Sequence, residues 1–233
     1  YGVTALMARV YLCQENLTDA LACAQEVIDS KRFEFMNDSI NNVYAYRNLS
    51  YIEKMARHEY VSSLYVYDLK EGRSDLFFKN LASCECVIAE GRKASIYSGM
   101  GQDLDIRSKN WFETPAGSAT EYVNKYMRGT QIPLLKLSEM YLIAAEASGD
   151  IRYLETLRAN RGYATDPLPA GANLQDEITK EYQKEFIAEG QLFYYYKRRN
   201  MAILPITSTS MNRATYVLPV PDNELEFGNF KQN

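Results

Sequence analysis

The stretch Tyr122–Ala147 reads YVNKYMRGTQIPLLKLSEMYLIAAEA, and its second half sets the architecture. Leu134, Leu137, Tyr141, Ala144 and Ala145 recur at helical spacing and share one face. Pro133 stands just before this helix, where its missing N–H costs little. Ser148-Gly149-Asp150 breaks the pattern, and Leu154, Leu157 and Arg158 resume it on a return helix that stops at Gly162. The result is a helical hairpin.

The chain opens on a second such hairpin. Ala5, Ala8 and Leu12, with Val10 and Tyr11, recur along Tyr1–Gln14, and Ala20, Leu21, Ala24, Val27 and Ile28 follow a short turn that Thr18 is placed to cap. Alanines at 8, 20 and 24 with Tyr11 between them match a tetratricopeptide hairpin, in which small residues let two helix backbones approach. Beyond the loop marked by Pro167, Pro169 and Gly171, a long final helix is expected from Asp176 to about Asn200. Its core contacts would be Ile178, Tyr182, Phe186, Phe193 and Tyr196. Gly190 lies inside that pattern, where glycine costs about 1 kcal/mol against alanine. Either another backbone approaches it closely or the helix ends at Glu189. Tyr60–Leu69 reads as extended, and the Tyr216 tail with its two prolines does too. Met36–His58 shows little periodicity, and residues 70–122 form a long irregular insertion containing Gly91, Gly99, Gly101 and Gly117.

Of the 233 residues 46% are apolar and 24% charged, the balance of a folded globular protein rather than a disordered one. The net charge of −4 argues against nucleic acid as a partner, since phosphate binding needs clustered Lys and Arg. No apolar run reaches membrane-spanning length. The chain starts at Tyr1 without an initiating Met or a signal peptide, as a processed or cut sequence does. Cys13 and Cys23 sit in helical patterns and are expected to be buried thiols, while Cys84-x-Cys86 lacks the second pair that a zinc ribbon needs.

No catalytic motif emerges. His58 is the only histidine. Asp103-Leu-Asp105 opens like a calcium loop, but Arg107, Lys109 and Thr114 fall where oxygen ligands should be. Glu177, Glu181, Glu185 and Glu189 recur every four residues, roughly along one helix face. Two such carboxylates could serve a glycosidase. With Lys180 and Lys184 beside them, the simpler reading is an ion-paired or solvated face. No enzyme, cofactor or metal site is expected.

Together these segments resemble one family. ALMARVYLCQENLTDALACAQEVIDS (residues 5–30) is similar to the internal helical hairpin of the SusD/RagB nutrient-binding proteins. Ile132, Pro133, Leu134, Leu137, Glu139, Tyr141, Leu142, Ala145, Glu146 and Ala147 match the family's Ile-Pro-Leu-x-x-Leu-x-Glu-Met-Tyr-Leu-x-x-Ala-Glu-Ala helix. LETLRANRGY resembles its Arg-x-x-Arg-Gly helix end, and ITKEYQKEFIAEGQLFYYYKR resembles its Glu-Arg-x-x-Glu-x-x-x-Glu-Gly helix. YVLPVPDNELEFGN resembles the terminal Pro-Ile-Pro-x-x-Glu segment. Tyr182 and Gln191 stand where that helix usually has Arg, and Tyr195 where it has Asp, which puts any carried-over salt bridge in doubt.

The resemblance implies a mainly α fold of tetratricopeptide-like hairpins with long irregular loops and a few short strands. Residues 1–233 would be a single C-terminal region of that fold without its N-terminal part. The function implied is non-catalytic capture of a glycan or other small nutrient at the outer membrane of Bacteroidetes-type cells, in polysaccharide utilisation with a SusC-like TonB-dependent transporter. Membrane contact would come only through an N-terminal lipid not present in this chain. A helical-repeat scaffold that binds protein is the alternative; the insertion at 70–122 favours ligand binding. Two expectations follow. An apolar patch should be exposed around Leu6, Val10 and Leu17. Trp111, with Phe112, Tyr97 and Asn110, should form the sugar platform, unless Trp111 serves to pin its loop onto the helices.

Overall fold

The computed structural model describes residues 1–35, 57–67, 88, 91–97, 104–114, 121–123, 125, 131–163, 167–205, 209–217 and 220–228. Most of Met36–His58, Cys84, Cys86, Gly99, Gly101 and Gly117 lie outside the described residues. The chain divides into two compact units, Tyr1–Glu189 and Gly190–Asn233.

In the first unit, α1 (Gly2–Cys13) and α2 (Leu17–Asp29) form the expected hairpin. Ala5, Ala8, Ala20 and Ala24 are wholly buried at their crossing, so no larger side chain holds the backbones apart. The cap of α2 is Asn16 rather than Thr18: the Asn16 carboxamide oxygen accepts from the Asp19 N–H. Helix α1 is apolar nearly all round, yet only one side is covered. Val3, Leu6, Met7 and Val10, with Leu17 at the start of α2, remain exposed, as expected for this patch. Cys13 is exposed and Cys23 half-buried, so neither is the sequestered thiol expected, because both project from the uncovered sides of the hairpin.

The strand β1 (Tyr60–Tyr65) pairs antiparallel with β4 (Gln131–Lys136), and β2 (Phe112–Glu113) with β3 (Tyr122–Val123). Pro133 belongs to β4, opposite Ser63, and not to a helix start; a two-stranded ribbon has only edges, which a proline without N–H tolerates. Two short helices, α3 (Arg92–Ile96) and α4 (Ile106–Asn110), lie in the region expected to be irregular. The second hairpin is α5 (Leu137–Ser148) and α6 (Ile151–Arg158), closed by left-handed Gly149 and capped by Asp150. Helix α5 packs on both α2 and α6. Arg9 of α1 grips Glu139 of α5 with two hydrogen bonds of 2.6 and 2.7 Å and the Leu134 carbonyl with a third, so the hairpins are joined by charge as well as by packing.

The expected long helix is two. Helix α7 spans Leu174–Glu185; α8, in the second unit, spans Gln191–Arg198. Ala188 and Gly190 both have positive φ, +60° and +73°, which a right-handed helix cannot include. A Cβ on Gly190 would meet nothing within 4 Å, so its glycine answers to backbone conformation and not to a close neighbour. The close approach is at Gly162 instead, where a Cβ would stand 2.2 Å from the Leu104 carbonyl oxygen. Gly190→Ala and Gly190→Leu are therefore expected to cost the same, about 1–2 kcal/mol of left-handed strain, in urea denaturation. A leucine variant much worse than the alanine one would restore the clash.

In the second unit, β5 (Ile203–Leu204) pairs with β6 (Thr209–Ser210). The start of the tail is helical, α9 (Arg213–Tyr216), followed by α10 (Asp222–Phe227). Tyr216 is buried and its hydroxyl donates to the Met201 carbonyl at 2.9 Å, which ends the extended reading at that residue.

Candidate functional site

Three of the four spaced glutamates point inward. Helix α7 is amphipathic, but its inner face carries Glu181 and Glu185 beside Ile178 and Tyr182, and Glu189 follows just past its end. Glu185 is the hub. Its carboxylate accepts from Arg107 at 3.1 Å, from Arg161 twice at 3.1 Å, from Lys136 at 3.2 Å and from the Ser138 hydroxyl at 3.0 Å. Arg161 also holds Glu59 through two hydrogen bonds of 2.6 and 2.7 Å. Arg107 reaches Asp105 and Glu181, and Glu181 is shared with Lys184 and Arg158. Glu189 accepts from Lys136 at 2.8 Å and from Lys125. Glu177, the fourth, stays near the surface on Lys180.

Local structure explains how these groups meet. The β1–β4 register sets Tyr60 opposite Lys136, so Glu59, the residue just before β1, and Lys136, at the end of β4, enter the cluster side by side. Asp105 caps α4 and orients Arg107. Arg158 and Arg161 flank the turn that ends at Gly162. Beside the ion-paired glutamates at 181, 185 and 189, Tyr182 stacks on Phe186 at 5.3 Å.

At Glu181 and Glu185 burial opposes ionisation, and the opposite charges outweigh it. Arg107, Lys184 and Arg158 hold Glu181 down to about 2, and Arg161, Lys136 and Arg107 hold Glu185 well below the usual carboxylate range. Among the described residues, Arg107, Lys125, Lys136, Arg158, Arg161 and Lys184 face Glu59, Asp105, Glu181, Glu185 and Glu189. Burying a charge is costly, and the effect is visible at Lys125. Burial, with the charge of Lys136 beside it, pushes Lys125 down to about 7 against the pull of Glu189. A glycosidic general acid needs a carboxyl with a raised pKa; Glu181 and Glu185 are shifted the other way.

A pH dependence follows. Glu181 falls from its ordinary 4.5 to about 2 on folding. Its contribution is therefore complete above pH 4.5 and disappears as pH falls towards 2, up to about 3 kcal/mol. Urea midpoints measured from pH 6 to pH 2 should fall most steeply below pH 4.5, and Glu181→Gln should flatten that fall.

The residues expected to form a sugar platform are placed otherwise. Trp111 is 2% exposed and Tyr97 wholly buried, and Phe112 is buried between them and β3. Lys125 Nζ sits 3.8 Å over the indole, Tyr97 packs edge-on to Phe112 at 5.7 Å, and the Tyr97 hydroxyl donates to the Lys184 carbonyl. Only Asn110 keeps partial exposure. The cause is helical spacing: Trp111 lies one turn after Arg107, and the contacts of Arg107 with Glu181 and Glu185 draw that face of α4 inward. In this arrangement no face of these three rings is open for a sugar to stack on.

No protein-family model matches the chain, and no curated protein matches it. Solved structures do. A SusD superfamily protein from Bacteroides thetaiotaomicron aligns over 97% of this chain with TM-score 0.70 at 20% identity. A putative sugar binding protein from Bacteroides vulgatus aligns over 97% with TM-score 0.67 at 22% identity. Surface glycan-binding protein A from Bacteroides thetaiotaomicron, solved in complex with laminarihexaose, aligns over 99% with TM-score 0.65 at 16% identity. The chain spans 58%, 56% and 63% of those three chains. The fold is similar to that of these SusD superfamily structures: mainly helical, with tetratricopeptide-like hairpins and a few short strands.

Proposed function

From that fold, we propose that the chain belongs to a non-catalytic nutrient-binding protein of the bacterial outer surface. It captures a glycan and hands it to a TonB-dependent outer-membrane transporter. Membrane attachment in this proposal is through an N-terminal lipid outside these 233 residues. The observation that carries the reading is the fold, shared with a glycan-binding protein solved around a bound oligosaccharide. The chemistry supports it: the carboxylates that could serve a glycosidase are committed to buried ion pairs and held ionised. Among the described residues, no helix is long and apolar enough to cross a membrane.

The test has two arms. Tagged protein isolated from detergent-solubilised outer membranes should bring a TonB-dependent transporter with it. The same protein on a glycan array should retain a defined set of oligosaccharides. An array with no binding would remove the glycan reading, and purification without a transporter would remove the partner. One observation favours the second reading, a scaffold that binds only protein: the uncovered apolar face of α1 formed by Val3, Leu6, Met7 and Val10. A blank array with a stable protein partner captured would establish it.

A further inference from the structure

The first unit ends at Glu189, and two lysines hold the chain there. Lys125 Nζ and Lys136 Nζ donate to the same carboxylate oxygen of Glu189, Lys136 at 2.8 Å. Both also donate to one backbone oxygen, that of Glu185, at 2.7 and 3.2 Å. Two ammonium groups that share two oxygens lie close together, and these are shielded from solvent: the side chains of Lys125, Lys136 and Glu189 are 5%, 4% and 7% exposed. Like charges so placed disfavour each other, and their protons belong to the pair. The surroundings decide which lysine gives one up. Lys136 reaches a second carboxylate, Glu185 Oε1 at 3.2 Å, whereas Lys125 Nζ lies 3.8 Å over the buried Trp111 ring. Glu185 in turn is drawn away by Arg107 and Arg161 on its other side. Lys125 is therefore the lysine whose charge is least tolerated. Its downward shift to about 7, caused first by burial and opposed by Glu189, has the same direction.

The contact grips strained backbone. Glu189 stands between Ala188 at φ +60° and Gly190 at φ +73°. An alanine keeps a left-handed conformation only where its surroundings impose it, and the buried Glu189 carboxylate is the anchor beside it. We propose that Lys125, Lys136 and Glu189 form a proton-linked clasp on the Ala188–Gly190 segment, which opens with the uptake of one proton by Lys125. Closed, the clasp favours Lys125 as the neutral amine; opened, it returns Lys125 to water as the ammonium. The closed form therefore gains as pH rises from about 7 to the ordinary lysine value of 10.5, and is weakest at and below 7. Lowering the pH from 9 to 7 should raise the opening constant about fiftyfold, with no more than about twofold further change down to pH 5.5.

The test is pulsed hydrogen exchange on the full chain between pH 5.5 and 9, each rate divided by the intrinsic rate of its amide at that pH. Amides of residues 186–192 should open about fiftyfold more at pH 7 than at pH 9, while those of α5 stay protected. Lys125→Met removes the titrating group and keeps most of its volume, so opening in that variant should not vary with pH. His58→Gln removes the only histidine, which adjoins Glu59, and should keep the parent's profile. The parent also gives a reading that needs no variant: Trp111 is the only tryptophan, and its emission should titrate near pH 7 as the charge over its ring changes. Opening that varies less than threefold between pH 7 and 9, or emission without a transition, would overturn the clasp. So would a profile that persists in Lys125→Met or vanishes in His58→Gln, or amides at 186–192 that exchange only together with those of α5.

Discussion

Arg161→Ala is expected to destabilise the protein by about 3–5 kcal/mol. The guanidinium is wholly buried and holds two carboxylates, Glu59 through bonds of 2.6 and 2.7 Å and Glu185 through two of 3.1 Å. Alanine leaves those negative charges inside with less to offset them, and desolvation then dominates. A control separates this from lost packing. In Arg161→Met with Glu59→Leu, the charge and one of its partners leave together while most of the volume is kept. That double variant should be more stable than Arg161→Ala, since removing both members of a buried pair is far less costly than removing one. Urea denaturation measures both. A loss below about 1 kcal/mol for Arg161→Ala would mean that the network does not brace the fold.

Trp111→Ala should cost about as much, 3–5 kcal/mol, through the cavity it leaves and the lost cover over Lys125. Trp111 is the only tryptophan, so the parent's emission reports on this place alone. It should be blue-shifted, protected from acrylamide, and indifferent to a saturating oligosaccharide. Exposed-type emission, or a spectral shift on adding ligand, would return Trp111 to the surface and to the binding site.

The helical hairpins were legible because their signals are local. Alanines at 8, 20 and 24 announce a close crossing, and Gly149 announces a helix end. The family resemblance added the order of the segments, and the fold agrees with it. What sequence could not supply was burial. Glu181 and Glu185 look the same on a solvated helix as inside, since their distant partners come from positions 107, 136, 158 and 161, brought together only by the β1–β4 ribbon and the turn at Gly162. Arg107, first noticed as a wrong residue for a calcium loop, was the available clue, because Asp105-x-Arg107 puts a charge pair one turn before Trp111. The helix break was legible only as an alternative at Gly190, for a similar reason. Ala188 is a strong helix former, and its φ of +60° is imposed by tertiary context against that propensity.

The proposed role requires the protein to bind a glycan and leave it intact. The most direct measurement is calorimetric titration of the best array ligand, followed by mass spectrometry of the recovered oligosaccharide. Saturable binding with every glycosidic bond preserved after prolonged incubation is the predicted result. Shortened oligosaccharide, or no heat of binding with any ligand of the array, would contradict it.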